Sequence, residues 1–350
     1  MREFHSQTIT DEAQVGAARR AVQRFASALG FGEDQLAELA IVVQEIGTNA
    51  VRYATSGGCL HWTETFGDEP GIELFYADKG PGIYDLDRAI RDGVSTGGSL
   101  GAGLGAVRRL MDEFDAYSTV KGTTRRLGLS RRTTHGTAIM GRKWLTAEPH
   151  GPLAERGRAL SKRLGLWSRP RPGEDANGDA YFVGQHDGDI LLAVVDGLGH
   201  GRGAHEASRV ALETLAQWRG EPLDELLLEV HDALRPTRGA VIGAVVLDPE
   251  AGAMYYAGVG NVEVRVLGSH EPARPIPSNG TLGARLSNLR VWPHRWTAGS
   301  TLVLATDGLS AKWDISAYPD LLPRSPQLLA GVLLRDFSRA SDDATVLVFR

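Results

Sequence analysis

Gln44-Glu45-Ile46-Gly47-Thr48-Asn49-Ala50-Val51-Arg52-Tyr53 is the stretch on which the reading of the first half turns. It ends a longer pattern from Glu33 to Tyr53 in which Leu36, Leu39, Ile41, Val42, Ile46, Ala50 and Val51 recur at helical spacing. On a helix, Glu45 and Asn49 are four apart and share a face, so a carboxylate and an amide can converge on one ion or water. Many solvent faces offer such a pair, so its weight comes from what surrounds it. Before it, Val15, Ala18, Val22, Phe25 and Leu29 mark a helix over Asp11 to Leu29. After it come two strand-like runs, Leu60 to Phe66 and Ile72 to Ala77. A helical pattern at Leu104 to Phe114 and a closing strand at Thr137 to Trp144 complete an expected α/β sandwich.

The second strand runs into Asp78-Lys79-Gly80-Pro81-Gly82-Ile83, and Gly101-Ala102-Gly103-Leu104-Gly105 opens the later helix. An aspartate at a strand end can accept a hydrogen bond from an exocyclic amino group such as that of adenine, and glycines let backbone approach closely. A helix N-terminus, with its free N–H groups and dipole, favours phosphate.

Taken in this order, residues 1 to 145 resemble the GHKL-type ATPase fold, most closely the serine-kinase anti-sigma factors and switch kinases. The resemblance implies ATP with Mg²⁺. Asn49 then holds the ion, and Glu45 acts as general base or orients the nucleophile. Asp78 reads adenine beside Thr137, Gly80 and Gly82 shape the pocket, and Gly101, Gly103 and Gly105 cover the phosphates. Ser95 to Leu100 is the expected nucleotide lid. No phospho-acceptor histidine segment precedes the ATP-binding helix, so transfer to a protein serine or threonine fits better than a sensor histidine kinase. The arginine-rich insertion Lys121 to Arg132 departs from the pattern and is expected to be a solvated hairpin, with a contact to the protein substrate or the nucleotide as the alternative.

At 350 residues, with 42% hydrophobic and 23% charged side chains, the chain has room for two folded domains. A net charge of -5 gives no general electrostatic reason to bind nucleic acid. The lone Cys59 is expected to be a buried small side chain. No run is apolar and long enough to suggest a membrane span or signal peptide, so a cytoplasmic location is expected. Prolines 149, 152, 170 and 172 bracket a basic amphipathic stretch from Leu153 to Trp167. Residues 146–174 are therefore read as a linker with at most one short helix, a solvated connector in preference to a partner or homodimer contact.

From Asp179 onward, strand pairs dominate. Ala180 to His186 and Ile190 to Val195 flank Asp187-Gly188, a strong hairpin signal. Helical patterns at Gly203 to Trp218 and Leu223 to Leu234 precede further strands near 240–247, 253–257, 262–267, 301–305 and 345–349. Asp179, Asp196, Asp307 and Asp342 all fall at strand ends or tight turns, where carboxylates on adjacent strands can serve a hard divalent ion. Their order and neighbours, including Val194-Val195-Asp196-Gly197-Leu198-Gly199-His200-Gly201, resemble the PPM family of metal-dependent protein phosphatases in its compact SpoIIE-like branch. The match spans residues 175 to 350.

That resemblance implies two Mn²⁺ or Mg²⁺ ions held by Asp179, Asp196, Asp307 and Asp342 with the Gly197 carbonyl, with Asp343 beside the last ligand in a supporting place, although sequence alone does not separate the two adjacent aspartates. His200 either protonates the leaving alkoxide or is structural; its sequence context leaves both open. The expected whole is an α+β chain of two domains: a GHKL sandwich (1–145) and a PPM-type β-sandwich flanked by helices (175–350). Together the resemblances imply a bifunctional serine/threonine kinase and phosphatase acting on a phosphorylatable STAS-domain antagonist. An ATP-sensing phosphatase and a non-catalytic scaffold are the alternatives.

Overall fold

The structure is a computed structural model and describes residues 2–67, 69–91, 103–120, 135–269, 271–286 and 288–350. Packing divides the chain into two compact units. One holds Arg2–Arg163 together with Asp314–Asp336, and the other holds Leu164–Trp313 with Phe337–Arg350. Among the described residues, no helix is long and apolar enough to cross a membrane.

In the first unit, helix α1 (Glu12–Ala28) starts where the Asp11 carboxylate accepts the Gln14 N–H at 2.9 Å. Helix α2 (Glu33–Tyr53) packs beside it, burying Leu39, Val42, Val43, Ile46 and Ala50; Ile41, assigned to that stripe from sequence, points to solvent instead. Both helices share one core with a five-stranded antiparallel sheet. Its strands are β1 (His5–Ile9), β2 (Gly58–Glu64), β3 (Gly71–Asp78), β4 (Glu113–Thr119) and β5 (Gly136–Trp144), in the order β1-β2-β3-β5-β4. The strand read as closing the sheet therefore lies inside it. Strands β1 and β4 escaped notice because their apolar residues are too few to alternate clearly. The α3 (Leu86–Ile90) and α4 (Gly103–Leu110) helices complete this part.

Helix α5 (Pro152–Arg163) corrects the expectation of a solvated connector: Ala154, Gly157 and Ser161 are buried. The guanidinium of Arg142, on β5, donates to Glu73 at 2.9 Å through Nε and to the Ser161 carbonyl at 3.0 Å, which ties α5 to the sheet. Arg158 on α5 meets Glu69 in a further ion pair at 2.5 Å. Cys59 is half-buried, and burial pushes its thiol up to about 11, which removes it from thiolate chemistry at neutral pH.

The second unit begins earlier than the sequence suggested, because β6 (Leu164–Arg169) pairs with β16 (Ala344–Phe349) and buries Trp167. Strands β7 (Asp179–His186) and β8 (Asp189–Gly197) form the expected hairpin, with Asp187 at φ 48° and Gly188 at φ 96° as the two left-handed turn residues. They join β9 (Ala240–Asp248), β10 (Ala253–Val259) and β14 (Val291–Arg295) in the sheet β14-β10-β9-β8-β7. The other sheet runs β11-β15-β16-β6, with β11 (Glu263–Leu267) and β15 (Thr301–Ala305); a two-stranded β12 (Gly280–Thr281) and β13 (Arg285–Leu286) lies apart. Helices α6 (Arg202–Leu215) and α7 (Leu223–Leu234) cover the first of these sheets, burying Ala207, Ala211, Leu226 and Val230. The result is the β-sandwich flanked by helices expected from sequence.

One helix breaks the sequence order. In α8 (Pro326–Phe337), residues Pro326–Leu334 are all buried. Its residues up to Asp336 belong to the first unit, where a Cβ on Gly331 would sit 2.3 Å from the Phe75 ring.

Candidate functional site

A cavity of about 690 Å³ opens in the first unit where α2, the end of β3 and the start of α4 meet. Six of the residues singled out in the sequence line it: Glu45, Asn49, Asp78, Gly82, Gly103 and Thr137. Helical spacing puts Glu45 and Asn49 on the open face of α2, while Ile46 and Ala50 anchor the opposite face in the core. Asp78 sits at the last position of β3, its Oδ1 accepting from the Gly80 N–H at 2.7 Å and the Thr137 N–H at 3.2 Å. The carboxylate faces the cavity beside the Tyr76 hydroxyl.

Gly82 is forced by its surroundings: φ is 78°, and a Cβ there would lie 2.3 Å from the Thr119 carbonyl oxygen. Gly80 does not line the cavity but fixes Asp78, and its carbonyl accepts a 2.5 Å hydrogen bond from His135 Nδ1. Gly105 is buried within α4, away from the lining. Gly101, the lid Ser95 to Leu100 and the basic insertion Lys121 to Arg132 lie outside the described residues.

Three cavity or near-cavity groups were missed from sequence. Arg52 and Tyr76 line the space, and both stand on predictable faces, Arg52 one turn past Asn49 and Tyr76 two residues before Asp78. Arg335 on α8 donates through Nη1 to the Asp78 carbonyl at 3.2 Å, while its Nε and Nη2 each bond Asp336 at 2.7 Å. Nothing in the sequence signals that contact, since 257 residues separate the pair.

In the second unit the hairpin register sets Asp179 directly opposite Asp196. Asp307 follows β15 and Asp342 precedes β16, and those strands are paired neighbours. Asp179 is 2% exposed, and its Oδ2 accepts from Thr306 Oγ1 at 2.7 Å. Burial first, then the Asp196 charge, holds its carboxyl well above the usual carboxylate range. Burial and the charges of Asp307, Asp342 and Asp343 push Asp196 up to about 7. Asp307 is raised by burial and by Asp342, while Asn261 donates to its Oδ2 at 2.7 Å.

The two adjacent aspartates are used differently. Asp343 is buried, and its carboxylate accepts the N–H groups of Arg171 at 2.7 Å and Gly178 at 3.0 Å, pinning the loop that leads to Asp179. Asp342 keeps its carboxylate on the more open side, where among the described residues it accepts the Asp343 N–H at 3.1 Å alone. Gly197 donates its N–H to the Gly178 carbonyl at 3.1 Å, closing the same turn. His200, half exposed, is paired through Nδ1 with Glu174 at 2.6 Å.

Among the described residues, no three Asp, Glu, His or Cys side chains close to within single-ion distance of one another. Burial and neighbouring carboxylates raise the carboxyls of Asp179, Asp196 and Asp307 together, with Thr306 and Asn261 holding two of them. An all-oxygen set with unrelieved mutual repulsion matches the chemistry of a hard divalent cation, which would lower every one of these pKa values on binding.

The comparisons with known proteins agree with both halves. Residues 9–128 match the histidine kinase-like ATPase domain family, and residues 186–350 match the Stage II sporulation protein E (SpoIIE) family. The serine/threonine-protein kinase RsbT of Bacillus subtilis (strain 168) is 35% identical over 137 residues, covering 39% of this chain and 93% of that protein. The phosphoserine phosphatase RsbX of the same organism is 27% identical over 141 residues, covering 40% of this chain and 71% of that protein. A solved structure described as "The bacterial stressosome: a modular system that has been adapted to control secondary messenger signaling" superposes with a TM-score of 0.51 at 30% identity, covering 54% of this chain and 98% of its own. Nucleotide and divalent metal use are implied by the two domains. The chain thus belongs to the histidine kinase-like ATPase family through its first half, and its second half carries a domain that matches the SpoIIE family of PPM-type phosphatases.

Proposed function

We propose that the chain is a cytoplasmic, bifunctional regulator that phosphorylates and dephosphorylates a serine or threonine of one STAS-domain antagonist protein. The observation that carries the reading is the presence, in one chain, of an open cavity holding Glu45, Asn49 and Asp78 and of an acidic strand-end cluster built on Asp196. In the first half, Asp78 accepts the adenine amino group, and Thr137 holds that carboxylate through its N–H. Glu45 takes the proton of the substrate hydroxyl or orients it, and Asn49 carries Mg²⁺ with the nucleotide. Gly103, at the start of α4, lines the cavity on the side where the phosphates would lie.

In the second half, Asp179, Asp196, Asp307 and Asp342 with the Gly197 carbonyl would hold two Mg²⁺ or Mn²⁺ ions, which when bound would activate water near neutral pH and neutralise phosphate charge. Asp343 keeps the Asp179 loop in place, and Thr306 orients Asp179. His200 is placed by Glu174, so protonation of the leaving alkoxide falls to it only if that pair opens.

The test is to incubate the purified chain and a candidate STAS protein with labelled ATP and Mg²⁺, comparing wild type, Asp196→Asn, and Asp196→Asn with Glu45→Ala. Label that accumulates on the substrate with Asp196→Asn and disappears in the double variant supports both activities. If no variant labels the substrate while the wild type strips a phosphorylated form, the first half senses ATP without transferring phosphate. Failure of the wild type to strip it at all, with metal present, would remove the phosphatase assignment.

A further inference from the structure

Ser168 lies in β6, inside the stretch whose prolines suggested a linker, and the sheet register sets it directly opposite Thr345 on β16. Both side chains are buried, and Ser168 Oγ and Thr345 Oγ1 stand 2.6 Å apart. Every residue of β16 is buried, and apart from Thr345 all are apolar: Ala344, Val346, Leu347, Val348 and Phe349. Valine has nearly the shape of threonine and would fill that position without a buried hydroxyl to satisfy. A third hydroxyl comes from the neighbouring strand. Thr306, which follows β15, receives the Thr345 N–H on its Oγ1 at 3.0 Å.

These hydroxyls converge on one carboxylate. Thr306 Oγ1 donates to Asp179 Oδ2 at 2.7 Å, and Thr345 gives Asp179 a second side-chain hydrogen bond. An ionised carboxylate only accepts, so the Thr345 proton points to Asp179 and Ser168 donates to Thr345 Oγ1. Ser168 Oγ in turn accepts from Asn177 Nδ2 at 2.7 Å. The circuit closes where it began, because Asn177 Oδ1 accepts the Asp179 N–H at 3.0 Å. Backbone and carboxylate of Asp179 are thus held through one chain of side chains, with Ser168 and Thr345 as its middle members. A cross-strand Ser–Thr pair can be a sheet contact and nothing more. Here, among the described residues, the side-chain partners of Ser168 and Thr345 all belong to the circuit that starts and ends on Asp179.

We propose that Ser168 and Thr345 are positioning residues of the acidic site, fixing the Asp179 carboxylate in the orientation that receives a divalent cation. The inference rests on the reading of these aspartates as a metal centre. A carboxylate already ordered by outer hydrogen bonds need not lose that freedom when the ion binds.

Calorimetric titration of Mn²⁺ into the metal-stripped, nucleotide-free full chain tests this without relying on activity. Thr345→Val should weaken Mn²⁺ binding about tenfold, the low end for losing an outer hydrogen bond to a metal ligand, while Thr345→Ser, which keeps the hydroxyl, should stay within about threefold of wild type. Ser168→Ala, which opens the circuit one step further out, should fall between them. Wild-type affinity in Thr345→Val would overturn the proposal, and so would an equal loss in Thr345→Val and Thr345→Ser, which would trace the effect to packing. Should Thr345→Val fail to fold, wild-type affinity in Ser168→Ala overturns it instead. A wild type that binds no Mn²⁺ would remove the metal-centre reading itself, and this inference with it.

Discussion

Asp78 and Asp196 are both aspartates at the end of an apolar strand, yet the molecule uses them in opposite ways. Asp78 is held by protein donors, two backbone N–H groups on one oxygen, and faces an open cavity. Asp196 is crowded by burial and by three further carboxylates, which push it up to about 7. The difference teaches what each half still lacks. The first half offers a preformed shape with directed hydrogen-bonding groups and suits a neutral, flat ligand edge. The second concentrates negative charge without relieving it, and suits a cation.

The comparison can be broken most sharply at Asp196. Asp196→Asn should lower phosphatase activity by about 10³-fold, the loss expected when a metal-ligating carboxylate is removed. Nucleotide affinity, measured on the same preparation, should stay within twofold. Next in size is Arg335→Met, which leaves the Asp336 carboxylate buried without its guanidinium. It should destabilise the nucleotide-binding unit by about 3 kcal/mol, read as a lower denaturant midpoint for that unit's unfolding. A midpoint unchanged by this variant would mean that α8 contributes little to the unit it packs in.

Glu45→Ala should reduce phosphoryl transfer by about 10²-fold while leaving ATP binding nearly intact, as expected for a general base that is not a binding group. An equal loss of binding would move Glu45 from chemistry to nucleotide or ion retention.

The smallest effect concerns pH. Asp196 binds its proton more tightly in the folded chain than at the ordinary value of 3.8, so between about 4 and 7 the folded state holds more protons than the unfolded one. Stability of the metal-free protein should therefore fall as pH rises through that window, a decrease of a few degrees in Tm between pH 5 and pH 8. Asp196→Asn should flatten the dependence. Added Mg²⁺ or Mn²⁺ should oppose it, because metal binding favours the deprotonated carboxylates.

Much of this was legible before any coordinates. The stripe through Leu39, Val42, Ile46 and Ala50 fixed which face of α2 is buried and hence which face carries Glu45 and Asn49. The Asp187-Gly188 turn fixed the register that sets Asp179 against Asp196, because a two-residue hairpin leaves no freedom in pairing. Strand β6 was hidden by the prolines flanking it, and β1 and β4 by short, mixed compositions. The difference between Asp342 and Asp343 was also out of reach, since adjacent carboxylates are separated only by which of them meets the N–H groups of Arg171 and Gly178.

What the sequence determined by itself was local: the periodicities that make the elements, the glycines and aspartates at strand ends, and the two family likenesses built on them. These follow from spacing along the chain, which the backbone converts directly into faces and turns. Only the tertiary structure decided that α8 serves the unit holding the nucleotide cavity, that Arg335 holds the Asp78 carbonyl, and that the buried Tyr76 hydroxyl stands beside the Asp78 carboxylate. Contacts across 257 residues, and the burial that makes an unsatisfied oxygen costly, depend on packing that no local pattern encodes.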